Sequence, residues 1–227
     1  MFGKKRKAHH DDVELDDTTQ PEQSSGTDES AEPTADFTPK EVIDDRSIDG
    51  PFDYSEVTEI KPYIDFGSVL IPPVPGLTIR VEVEEPTKRP VAITFEREGT
   101  QLQVQAFAAP RSEGLWAEVR DQVRTQLDAQ KASHRDFDGE LGIEIHASVP
   151  GNDGATHPVR FIGVDGPRWF LRGVISGAGL SEESTAVRVN DLFRSIVVRR
   201  GSDPRAPREL LPLVLPAPDQ TGANDTK

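Results

Sequence analysis

The sequence predicts an α+β fold, an antiparallel sheet of about six strands with two amphipathic helices packed on one face. Three observations carry this. Apolar and polar residues alternate strictly over 77–84 and recur in that period over 91–106 and 141–171. Two windows, 116–127 and 186–197, space their apolar residues as one face of a helix. Short glycine-containing turns separate the alternating runs, as in hairpins.

The folded part is expected to begin at Pro51, where Phe52, Tyr54, Val57, Ile60, Tyr63, Ile64 and Phe66 arrive together. A Pro72–Gly76 turn then leads into the first strand, Leu77-Thr78-Ile79-Arg80-Val81-Glu82-Val83-Glu84. Val91, Ile93 and Phe95 mark the second strand, Glu98-Gly99 a turn, and Leu102, Val104 and Ala106 the third. Ser112 is placed to cap a helix whose stripe is Trp116, Val119, Val123 and Leu127, with Arg120, Asp121, Arg124 and Asp128 on the wet side.

Strand patterning returns over 137–149, where Leu141, Ile143 and Ile145 alternate with Glu140, Gly142, Glu144 and His146. Val159 and Phe161 carry the next strand, Asp165-Gly166 a turn, and Trp169 and Leu171 its partner, with Gly173 on the same side. The second helix is predicted with Ser181 as cap, Glu182 and Glu183 in the first turn, and Ala186, Val189, Phe193, Ile196 and Val197 as stripe. Arg199 and Arg200 would fall in its last turn.

Three regions result: a tail over 1–50, one α+β domain over 51–200, and a Pro-rich segment over 201–227, partly packed and then disordered. In that last segment Leu210-Leu211-Pro212-Leu213-Val214-Leu215 is apolar enough to lie extended against the domain. The tail opens with Lys4-Lys5-Arg6-Lys7 and turns acidic. Residues 1–60 hold six Lys and Arg against seventeen Asp and Glu, and 61–227 hold 20 against 23. A segment this charged and poor in aromatics cannot offset its chain entropy, so it is expected to be disordered to about residue 49.

The two halves also match in order. Val91, Ile93, Phe95, the Gly99 turn, Leu102, Val104 and the Trp116 helix correspond to Val159, Phe161, the Gly166 turn, Trp169, Leu171 and the helix of Ala186, Val189, Phe193 and Val197. A duplicated strand–strand–helix unit accounts for this, and so does the spacing common to all such units.

With no cysteine there is no disulfide, thiolate nucleophile or thiolate-bound metal, and no apolar run approaches the roughly 18 residues of a membrane span. The basic start lacks the apolar stretch of a signal peptide, so a cytoplasmic protein is expected. His134, His146 and His157 have no metal-binding spacing. Glu82 and Glu84, and Glu140 and Glu144, are assigned by alternation to a solvated face. The glycines over 173–179 lack both the lysine of a P-loop and the dinucleotide spacing, and read as a linker. No catalytic, cofactor-binding or metal-ligating set emerges, and no cofactor is expected.

On Gly67-Ser68-Val69-Leu70-Ile71-Pro72, the Trp116 helix, the block Gly166-Pro167-Arg168-Trp169-Phe170-Leu171-Arg172-Gly173 and the C-terminal helix, the chain resembles an actinobacterial family known as a domain of unknown function, DUF3710. The resemblance spans about residues 42 to 215. It implies a one-domain actinobacterial cytosolic protein and brings no activity, cofactor or site residue. In element order alone the chain is also similar to sheet-and-helix adaptor domains such as secretion chaperones.

The candidate binding residues are Arg168, Phe170 and Arg172. If Trp169 and Leu171 face the core, these three share the opposite face and can grip an acidic peptide or stack a base. The plainer reading pairs the arginines with Glu140, Glu144 or another cross-strand acid and packs Phe170 under residues 210–215. The leading expectation is a non-enzymatic protein-binding or adaptor domain. One alternative is nucleic-acid association through Lys4, Lys5, Arg6 and Lys7 with Arg160, Arg168 and Arg172, which predicts affinity that falls steeply with salt and is opposed by the domain's net charge of −3. Another is a small-molecule-binding protein or an enzyme with a site that only the fold assembles.

Overall fold

The computed structural model describes residues 40, 46–58, 62–151 and 153–216. The chain divides into residues 1–35, outside the described ones, and 36–227, to which all that follows belongs. The elements are α1 (Arg46–Asp49), β1 (Phe52–Asp53), β2 (Ile64–Asp65), β3 (Val69–Ile71), β4 (Thr78–Val83), β5 (Pro90–Arg97) and β6 (Thr100–Ala108), then α2 (Trp116–Ala129), β7 (Ser133–Gly139), β8 (Gly142–Pro150), β9 (Thr156–Asp165) and β10 (Trp169–Gly177), and last α3 (Glu183–Arg194) and β11 (Val197–Val198). Single 3-10 turns follow β1 and precede α3.

Seven strands form one antiparallel sheet in the order β4-β5-β6-β10-β9-β8-β7. The four short strands form a second, in the order β1-β11-β3-β2, with β1 parallel to β11. The β5–β6 hairpin turns on Glu98 (φ +51°) and Gly99 (φ +74°), two left-handed residues whose twist matches that of the strands they join.

Each face of the large sheet has its own cover. On the core face Ile93, Phe95, Leu102, Val104, Ile162, Trp169, Leu171 and Ile175 pack with Val189 and Phe193 of α3 and with Val69, Ile71, Ile196 and Val198 of the small sheet. On the opposite face Trp116, Val123 and Leu127 of α2 lie on Ile145, Ala147 and Phe170. Two glycines allow this close double packing. A Cβ on Gly163 would stand 2.4 Å from the Trp116 ring, and one on Gly173 would stand 2.9 Å from the Phe193 ring.

The helices therefore occupy opposite faces, where one shared face was expected. The correspondence between the halves fails for the same reason. Ile93 pairs with Val104, Val104 with Gly173 and Gly173 with Ile162, so Phe161 points to the α2 face while the equated Ile93 and Phe95 point to the core. The seventh strand of the large sheet is β7, whose one large apolar residue, Phe137, gives no period to read. The small sheet was not expected either, because two- and three-residue strands are too short to show alternation.

Both expected caps are replaced. Helix α2 begins at Trp116, and the backbone N–H groups of Leu115 and Trp116 donate to the carboxylate of Asp165 at the end of β9, at 2.8 and 3.1 Å. Helix α3 begins at Glu183, and Ser181 lies in the preceding 3-10 turn. It ends at Arg194, and Val197 and Val198 leave as β11, pairing with Leu70 and Val69. Ordered structure also starts earlier than Pro51: Arg46 in α1 donates to a Glu56 carboxylate oxygen at 2.9 Å and to the Pro51 carbonyl at 3.0 Å. The expected disorder of the tail otherwise falls outside the described residues. At the other end Leu211 and Leu213 are buried, whereas Val214 and Leu215 are exposed.

Asp53 ties the small sheet to the large one by accepting from the Trp169 indole N–H at 2.8 Å. Burial disfavours its charge, but hydrogen bonds from the Ser55 side chain and backbone and from Trp169, with the Arg46 charge, outweigh that and hold the carboxyl below its ordinary 3.8. Its contribution is therefore complete above the ordinary carboxylate range and is lost as pH falls through the depressed value. Urea unfolding should show stability falling below about pH 4, with a smaller acid slope in Asp53→Asn. Gly163→Ala should cost about 1–3 kcal/mol in the same measurement, because the Trp116 ring blocks the added methyl.

Candidate functional site

The register of β10 against β6 sets Phe170 directly opposite Phe107, and Arg172 opposite Gln105. All four point to the α2 face. Where α2 starts, Trp116 comes down on the other side of Phe170, so its ring is stacked between two others. The centroids are 5.9 Å from Phe107 and 5.9 Å from Trp116, with interplanar angles of 25° and 24°. Phe170 is 1% exposed. It does not offer a ring to a partner, and what it packs under is α2, not residues 210–215.

Beside this stack a cleft of about 150 Å³ opens between α2 and the sheet, lined by Phe107, Leu115, Val119, Phe170, Arg172 and Arg208. Arg172 is half-buried there, and desolvation holds its guanidinium below the ordinary arginine value. It makes no hydrogen bond or ion pair with a described residue, in contrast to the cross-strand pairing weighed for it. Arg208, brought in by the C-terminal segment through Arg208 N–H to the Ala108 carbonyl at 2.8 Å, reaches Glu118 on α2.

Arg168 stands just before β10, exposed. Arg200, whose guanidinium is lowered first by burial and then by the charges of Arg168 and Arg205, lies near it. The Arg200 Nε is buried without a hydrogen-bond partner among the described residues. This end of the domain is thus rich in arginine, offset by the Arg205–Glu209 pair at 2.7 Å. From Arg172 towards β4 the same face is a polar platform: Gln103 donates to Glu82 at 2.8 Å and Gln105 to the Val91 carbonyl at 3.1 Å. Among the described residues no helix covers it.

Arg160 belongs elsewhere. It points to the core face and grips Glu144 through Nε at 3.0 Å and Nη2 at 2.8 Å. Glu144 is expected on a solvated face, yet its side chain is 2% exposed, because Arg160, His146 and, through Arg160, Asn190 of α3 close over it. His134 and His157 each contact an aspartate, Asp128 and Asp153, at 3.0 Å. The glycines over 173–177 lie inside β10 rather than in a linker. Lys4, Lys5, Arg6 and Lys7 fall outside the described residues. The structure thus brings Arg172 and Phe170 together, keeps Arg168 at the same end, and puts Arg160 on the other side. Phe107 and Arg208 were missed: Phe107 sat inside an ordinary alternating run, and no local pattern draws Arg208 to α2.

Among the described residues no group of three or more His, Cys, Asp or Glu is placed to hold a metal ion, and no helix is long and apolar enough to cross a membrane. The model of the DUF3710 family, described as a protein of unknown function, matches residues 50–221. The chain belongs to this family. The match covers the whole of the large sheet and both long helices, so the cleft and the arginine-rich end lie inside the DUF3710 domain. No curated protein matches the sequence. Among solved structures, the chain is similar to the solution structure of cyanobacterial PsbP (CyanoP) from Synechocystis sp. PCC 6803, at a TM-score of 0.35 and 14% identity, over 58% of this chain and 86% of that one. A likeness at that level bears on neither chemistry nor partner.

The Glu144–Arg160 pair makes its own prediction. Glu144→Ala leaves the Arg160 side chain, 11% exposed, without its counter-charge. The loss should be about 3–5 kcal/mol in chemical denaturation, with Glu144→Gln falling between the variant and the parent.

Proposed function

We propose that this DUF3710 domain is a non-enzymatic binding module of the actinobacterial cytosol, the setting its sequence resemblance implies, and that it holds an acidic segment of a protein partner. The segment lies in the cleft beside α2 and extends past the arginine-rich end. One observation carries this reading: Arg172 is drawn out of water, against an aromatic wall, without a partner among the described residues. Removing a guanidinium from water is unfavourable unless something pairs with it, and a carboxylate meets its planar donors two at a time. Arg168 and Arg200 add positive charge at the end of the same strand, which favours encounter with an acidic chain.

Nucleic-acid association is the weaker reading, because Arg160 and Arg172 sit on opposite faces of the sheet and cannot meet one backbone together. A labelled glutamate-rich peptide followed by fluorescence anisotropy separates the two. Binding should weaken at least about ten-fold in Arg172→Met, which keeps the stem and removes the charge. Equal affinity for the parent and Arg172→Met would remove the cleft from consideration. Displacement of the peptide by an oligonucleotide at lower concentration than by free peptide would favour the nucleic-acid reading.

A further inference from the structure

A second site lies on the other face of the sheet and rests on different residues. The registers of β7 with β8 and of β8 with β9 set Arg135 directly opposite His146, and His146 directly opposite Arg160. Three basic groups therefore stand in one row across three adjacent strands. Ser133 and Ser148 are opposite each other one step along the same face. Two guanidinium groups two strands apart, with an imidazole between them, concentrate positive charge that acids or a ligand can balance.

The internal balance is partial. Glu144 takes Nε and Nη2 of Arg160 and contacts His146 Nε2 at 3.0 Å. Asn190 of α3 accepts from Arg160 Nη2 at 3.2 Å and donates to Glu140 at 3.1 Å. These bonds lock the Arg160 guanidinium and leave its Nη1 hydrogens without a described partner. The Phe137 ring, stacked on His146 at 4.7 Å, holds the imidazole in the same way and leaves Nδ1 over. Arg135 has no partner among the described residues. One carboxylate, that of Glu144, thus serves both Arg160 and His146, while Asp128 and Asp136 on the opposite face are engaged with His134 and Arg124.

The row lines an open groove of about 350 Å³, with Ser133 and Ser148 on its floor and Leu180 at its rim. That volume suits a small ligand, and the unused donors are those of an oxyanion site: guanidinium N–H groups and two hydroxyls. From the row, the leftover donors and the groove we infer that this face binds a phosphate group, free or carried by a small organic molecule. Arg135 and Arg160 contact the phosphate oxygens, His146 spaces the two guanidinium groups along the row, and Glu144 acts only by positioning Arg160 and His146. The inference is independent of the acidic-segment reading.

The test titrates inorganic phosphate, and in parallel glycerol phosphate, into the full chain at constant ionic strength, followed by the NMR signals of the arginine Nε–Hε groups and the histidine rings. The Arg160 and His146 signals should move and saturate. Arg135→Ala, which removes an exposed side chain and leaves the fold intact, should weaken binding about ten-fold or more. Arg172→Ala should leave it unchanged. Tighter binding of glycerol phosphate assigns the site to an organic phosphate, and tighter binding of inorganic phosphate to the free anion. Signals that shift linearly without saturating, or that respond identically in Arg135→Ala, would overturn the inference.

Discussion

The antiparallel register of β6 against β10 is the constraint on which the rest of this domain depends. It joins two hairpins at the middle of a seven-stranded sheet and runs unbroken from Trp169 opposite Ala108 to Gly177 opposite Thr100. Because side chains alternate, that register sends Trp169, Leu171 and Ile175 into the core and Phe170 and Arg172 to the α2 face. A slip by one residue would exchange the two sets and place a guanidinium under α3. The aromatic stack, the cleft and the floor beneath Phe193 all inherit their positions from this seam.

Covering the sheet on both sides has consequences for its polar residues. Around Glu144 on β8 both faces of the sheet are covered, with α2 on one and Asn190 of α3 on the other, whereas further along β8 and β9 the α3-side face opens into the groove. The charged residues that fall on the core side must find partners inside the fold, and Glu144 with Arg160, His146 and Asn190 is the result. Nearer β4 the α2 face has no helix above it, and the same alternation yields the glutamine and glutamate platform instead. One pattern in the sequence thus produces a buried ion network at one end and an open polar surface at the other. The two candidate sites lie on opposite faces and share no residue, so a ligand in one does not block the other.

Much of the architecture was legible from local pattern. Strands β4, β5, β6, β9 and β10 and the bodies of α2 and α3 follow from periods of two and of 3.6, and the Glu98-Gly99 turn from its residue types. What escaped has identifiable causes. β7 is a polar edge strand, and the small sheet is made of fragments too short for a period. The cap of α2 comes from Asp165, some fifty residues away in sequence, so no inspection of the segment before Trp116 could find it. Val197 and Val198 fit a helical stripe as well as a strand, and pairing with β3 decided between them.

The sequence by itself determined which residues are apolar on which side of each strand and helix, and that a Trp-Phe-Leu strand carries flanking arginines. Those are properties of composition and short-range period, which every residue carries whatever its neighbours in space. Only the tertiary structure decided that the helices take opposite faces, that Phe170 is buried while Arg172 has no partner among the described residues, and that Arg135, His146 and Arg160 stand in one row. These depend on strand order and register, which are set by contacts between residues far apart in the chain and leave no trace in any single window of it.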